Sequence, residues 1–172
     1  MESHELTYAQ PQRDGPAGIG GWLILPFLGL VVSPFVVALT MARDVVPAFE
    51  SGTWAALTTP GSPAYHAMWG PYLVGVALLN SALALAAIAL LVVGFQKRLF
   101  FPRLMVAFYA FVAAVAFVDV AAVNGFLQEA LPEEAAKLRP EAYAAFLKSL
   151  LAGGLWSTYF LVSKRVRNTF IG

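Results

Sequence analysis

The sequence predicts an all-α integral membrane protein with four transmembrane helices and short helical extensions in the outer loops. Three observations carry this prediction. The chain of 172 residues is 59% hydrophobic and only 12% charged, far below the ~25% charged residues usual in soluble domains. Its apolar residues gather into four stretches, each approaching the ~20 residues that a helix needs to cross a hydrocarbon core. These stretches are apolar all round, as in LVGVALLNSALALAAIALLVVGF, without the polar stripe that a helix on a soluble bundle shows every 3.6 residues.

Taken in order, residues 1–17 are polar and contain Pro11, Gly15 and Pro16, which predicts a disordered cytoplasmic tail. Residues 18–172 form one transmembrane domain. Its first span covers about residues 20–42, and it is too long, and follows too many acids, for a cleaved signal peptide. Pro26 and Pro34 within it deprive the Trp22 and Leu30 carbonyls of their usual donors. Residues 43–70 are rich in Gly, Pro, Ser and Thr, with Trp54, Tyr65 and Trp69 expected as interfacial anchors. The second span covers residues 71–95, and a short basic turn, QKRLFFPR, leads to the third at residues 104–127. Residues 131–150, LPEEAAKLRPEAYAAFLKSL, favour helix beyond the membrane. The fourth apolar core, residues 147–162, is the shortest, and Pro140 at a first-turn position allows its helix to start earlier. No internal repeat supports an inverted-repeat transporter.

Charge placement sets the orientation. Lys97, Arg98 and Arg103 lie in the short turn, and Lys164, Arg165 and Arg167 follow the last span. By the positive-inside rule both clusters, and both termini, belong on the cytoplasmic side of the membrane. The other connections mix Arg43, Lys137, Arg139 and Lys148 with Asp44, Glu50, Glu129, Glu133, Glu134 and Glu141. A net charge of +1 offers no global attraction for nucleic acid, and no nucleic-acid partner is expected. The absence of cysteine excludes disulfides, thiolate zinc sites and thiol catalysis.

The end of the chain, LWSTYFLVSKRVRNTF, and the opening of the first span, GGWLILPFLGL, carry a resemblance. Gly21, Trp22 and Leu23, with Trp156, Tyr159, Ser163, Arg165, Val166, Asn168, Thr169 and Phe170, resemble the DUF2569 family of bacterial membrane proteins. The resemblance implies a small inner-membrane protein of four helices with no established activity. On a helix, Gly153, Trp156, Tyr159 and Ser163 share one face, which is predicted to meet the bundle. The basic motif of Ser163, Lys164, Arg165, Arg167 and Asn168 reads as a positive-inside stop signal, or as a site for a lipid or a partner.

One carboxylate interrupts the third span: Asp119, in FVDVAAVNG. Burying an ionised carboxylate costs several kcal/mol, so Asp119 must be neutralised, hydrogen-bonded or in reach of water. Counted from the span ends, Ser33, Asn80, Asp119 and Trp156 each lie about nine residues, or roughly 13 Å, below the outer surface. A buried polar cluster of Ser33, Asn80, Asp119, Trp156 and Tyr159 is therefore expected in the outer half of the bundle. Such a cluster either fixes helix packing through hydrogen bonds or lines a path for protons, ions or a ligand.

Catalysis has no support. His4 and His66 sit in no ligand-spaced motif, and there is no phosphate loop, catalytic carboxylate pair or metal-binding helix motif. The expectation is a non-catalytic accessory or interaction protein without cofactor or metal. Its partners would be membrane lipids, with another membrane protein or a second copy as further candidates. The alternative is a small transporter or lipophilic-ligand binder using the layer around Asp119.

Overall fold

The computed structural model describes residues 15–171, so the expected tail is described only from Gly15 onward, and His4 lies outside the described residues. Among the described residues there are helices and no strands. Four helical stretches are long and apolar enough to cross a membrane: Gly21–Phe49, Trp69–Phe95, Phe101–Ala130 and Pro132–Val162.

The first opens with a 3₁₀ turn and continues as α1 (Ile24–Thr40). A π-helical turn (Met41–Val45) and a second 3₁₀ turn (Val46–Phe49) close it. Pro34 cannot donate to the Leu30 carbonyl, and the Ser33 hydroxyl donates to that carbonyl instead at 3.4 Å. The loop that follows holds a short helix, α2 (Ser51–Thr58). The second span is α3 (Trp69–Phe95), ending in a tight reversal. There Lys97 has φ of 55°, its N–H donates to Gly94 at 3.0 Å, and the Arg98 N–H donates to Val93 at 3.4 Å. This is a Schellman closure with lysine where glycine is usual. A side chain in the left-handed region costs roughly 1 kcal/mol, so Lys97→Gly should raise the thermal midpoint in detergent. A lower midpoint would show that the lysine side chain contributes more than the backbone strain it imposes.

The third span is α4 (Phe101–Asn124), with Pro102 in its first turn. Gly125 separates it from α5 (Phe126–Ala130). The expected outer extension from Leu131 and the fourth span are one continuous helix, α6 (Pro132–Val162), of 31 residues. Pro132 takes the first-turn place expected of Pro140, which is interior to the helix. At 1.5 Å per residue α6 is about 46 Å long, against a hydrocarbon core of about 30 Å. Ser163, extended at φ −66° and ψ 124°, breaks the helix and caps α7 (Lys164–Thr169) by accepting from the Val166 N–H.

α4 packs mainly on α6 and α1 mainly on α3, with a lighter α3–α4 contact joining the pairs. Two buried clusters anchor the ends. One gathers Leu23, Phe27, Leu90, Phe101, Phe160 and Phe170, with others, at the end holding the QKRLF turn and α7. The other gathers Trp69, Leu73, Ala122, Val123, Leu127 and Ala135 at the opposite end. They are called here the basic end and the acidic end.

Candidate functional site

The five polar residues expected to cluster do not form a hydrogen-bonded layer. Ser33 is occupied by the Leu30 carbonyl. The Asn80 amide donates to Val76 of its own helix at 2.9 Å. Trp156 and Tyr159 pair edge-on with each other, their ring centroids 5.8 Å apart, and Tyr159 packs against the basic-end cluster. The depth count fails for Trp156 because α6 begins at Pro132 rather than near Leu147. Phe146 lies beside Phe117, centroids 5.7 Å apart. Trp156, ten residues further along α6, is therefore about 15 Å below that level. The inward face of α6 is also rotated from the expected one. Gly153 and Phe160 are buried, whereas Trp156 and Tyr159 flank that seam half-buried.

No hydrogen bond links Asp119 to any of the other four. It is half-buried and accepts no hydrogen bond from any described residue. A depression of about 470 Å³ opens at the acidic end, lined by Val118, the sequence neighbour of Asp119, and not by Asp119 itself. Tyr72 of α3, Val118, Ala121 and Ala122 of α4, Phe126 and Glu129 of α5, and His66 line its walls. Aromatic edges organise this corner, with Phe126 5.3 Å from Trp69 and 5.0 Å from Tyr72 between centroids. His66 Nδ1 accepts from the Met68 N–H at 3.1 Å, which leaves Nε2 facing Glu129 Oε2 at 3.8 Å. The Trp69 indole N–H is buried here with no acceptor among the described residues. Because no described donor would be orphaned, Asp119→Leu should change stability by less than ~1 kcal/mol. A loss of several degrees in the thermal midpoint would reveal a partner that the geometry does not contain.

A polar contact missed in the sequence lies nearby. The Asn124 amide donates to the Val120 carbonyl at 2.7 Å and to the Tyr143 hydroxyl at 3.3 Å, linking α4 to α6. Asn124 falls inside the span expected at residues 104–127, and Tyr143 in the extension expected at residues 131–150, so nothing local pairs them. The Arg139 guanidinium donates to Gln128 across the same corner. Among the described residues, no group of three or more His, Asp or Glu side chains is placed to hold a metal ion.

At the basic end, the two separated stretches of the resemblance meet. Thr169 is almost fully buried, and its hydroxyl bridges the Arg165 carbonyl at 2.7 Å and the Gly18 carbonyl at 3.3 Å. The Arg165 guanidinium lies over Gly20 and Gly21, where a Cβ on Gly20 would come within 3.0 Å of Nη1. Gly21 has φ of +56°, a conformation that glycine adopts at little cost. Asn168 approaches Gly15, and Phe170 stacks on Phe101 with centroids 4.5 Å apart. Glycine in the opening stretch and long or aromatic side chains in the closing one are thus two halves of one clasp.

Four spanning helices with chemically distinct ends define a multi-pass membrane protein. The chain belongs to the DUF2569 family, described as proteins of unknown function, whose model matches residues 16–171 and so includes both halves of the clasp. No curated protein and no solved structure matches the chain.

Proposed function

We propose that this protein works without catalysis, as an accessory protein of the bacterial inner membrane that holds a small lipophilic cation at its acidic end. The observation that carries the reading is Asp119, half-buried in a spanning helix without a hydrogen-bonding partner among the described residues and adjacent in sequence to Val118, which lines a depression together with Tyr72, Phe126 and His66. An ionisable side chain inside a membrane marks an ion or ligand path by default. Tyr72 and Phe126 add ring faces that attract cations, and Glu129 adds a second negative charge at the rim. The depression is open, so a ligand could enter without separating the α4–α6 pair.

The probe is tetraphenylphosphonium, titrated by equilibrium dialysis against the detergent-purified chain. Asp119→Asn keeps the shape and removes the charge, and it should weaken binding about tenfold or more, a modest fraction of one ion-pair contact at low effective dielectric. No binding to the wild type, or equal binding to Asp119→Asn, would overturn the proposal.

The same proposal places both ends of the chain in the cytoplasm, supported by the gathering of Lys97, Arg98, Arg103, Lys164, Arg165 and Arg167 at one end. A topology reporter fused after Gly172 should read cytoplasmic, and one inserted near Gly61 should read the outer side. Matching compartments for the two would rule out this orientation.

A further inference from the structure

We infer that the basic end carries a binding site for one anionic phospholipid, with the phosphate held at Arg165 and an acyl chain seated in the groove beside Trp22. Two independent features meet there. The first is the state of Arg165. Its side chain is half-buried, its guanidinium lies against the backbone of Gly20 and Gly21, and that guanidinium makes no hydrogen bond or ion pair with any described residue. A guanidinium carries five donors in a fixed fork matched to phosphate oxygens. The glycines hold that fork immediately before Trp22, so its orientation is set before a ligand arrives.

The second feature is the groove itself, about 400 Å³ in volume and lined by Trp22, Leu155, Trp156 and Tyr159. Its walls are almost wholly apolar. Leu155 and Trp156 belong to a spanning helix, so the groove faces hydrocarbon along its length and nears the basic surface at Trp22. Trp22 is 71% exposed, as expected of an indole at the headgroup level. A free phosphate would satisfy Arg165 and leave the groove unfilled, and a neutral lipid would fill the groove without balancing the charge. An anionic phospholipid does both, and the exposed Lys164 next to Arg165 adds a second cation within the headgroup layer.

The test compares dioleoyl phosphatidylglycerol with dioleoyl phosphatidylcholine, each titrated into the detergent-purified full chain and counted by native mass spectrometry. One phosphatidylglycerol should bind about tenfold more tightly than phosphatidylcholine, because both present a phosphodiester to Arg165 but the choline cation cancels its charge beside Arg165 and Lys164. Arg165→Gln should erase that preference, whereas Arg103→Gln, at the same end but outside the site, should keep it. Leu155→Trp fills the groove from an exposed position, leaves every charge in place, and should weaken phosphatidylglycerol binding to a similar extent. This second variant decides the matter if Arg165→Gln melts early in phosphatidylcholine alone. Equal binding of the two lipids would overturn the inference. So would a preference that survives Leu155→Trp, equal losses in Arg165→Gln and Arg103→Gln, or full competition by millimolar inorganic phosphate.

Discussion

Phe101→Ala is expected to cause the largest loss of stability of any aromatic truncation in this protein. Phe101 is fully buried and is the hub through which four helices meet at the basic end. Its ring lies 5.4 Å from Phe27 of α1, 5.9 Å from Phe160 of α6 and 4.5 Å from Phe170 after α7. Removing a buried phenyl ring costs ~3–5 kcal/mol in soluble cores through lost transfer energy and the cavity left behind. In a bilayer the transfer part shrinks, since lipid tails are also apolar, but packing contacts are a principal force between membrane helices. Those contacts are concentrated on this ring. Thermal unfolding in detergent should therefore show a much lower midpoint for Phe101→Ala than for Trp156→Ala, whose ring only flanks an open groove. Equal losses would mean that the basic-end cluster does not hold the spans together.

Gly94→Val should come second. A Cβ at Gly94 would lie 2.6 Å from Cζ of Phe27 and 2.8 Å from Cε2 of Phe101. Neither ring can swing aside easily, because Phe27 is also held edge-on by Phe95 at 5.4 Å and both rings are buried. Overpacking of this kind costs ~1–3 kcal/mol, and separation of α1 from α3 is the route by which the strain would be relieved. Gly75 in the same helix is the control. Nothing lies within 4 Å of a Cβ placed there, so Gly75→Ala should show only the helix-propensity gain of up to ~1 kcal/mol. If both substitutions move the thermal midpoint in the same direction, Gly94 is not a contact point.

The four spans are legible because lipid demands a single property over ~20 residues, and composition reports it directly. Rotation about each helix axis is not legible in the same way. Where every face is apolar, as around Trp156 and Phe160, hydrophobicity cannot tell the seam from the flank, and only shape at the partner surface decides. Relative depth suffers similarly: a coincidence of counts placed Trp156 level with Asp119, and a helix start earlier than expected removed it. Ser33 and Asn80 mislead for a physical reason. A hydroxyl or amide in a membrane helix can reach the carbonyl three or four residues back, so its presence does not require a partner on another helix. Asp119 has no donor group to spend in that way when ionised, which is why it alone kept its significance. The clasp was half legible, since both of its stretches stood out in the sequence while their meeting depended on the fold.

That clasp bears on how the protein is made. The hydrogen bond from Thr169 to Gly18 joins positions 151 residues apart, so α1 cannot complete its basic end until the three spans after it have followed. Long-range closures of this kind come late, because the intervening chain must be ordered before they form. During biogenesis, α1 would sit in the bilayer with Gly20 and Gly21 uncovered, pairing first with α3 when that helix arrives. Arrival of α7 then brings Arg165 and Thr169 onto residues 18–21. Until they dock, the Gly18 carbonyl lacks its bond from Thr169 and the Gly20–Gly21 backbone lacks its guanidinium cover, so a chain interrupted before α7 leaves this end of α1 open.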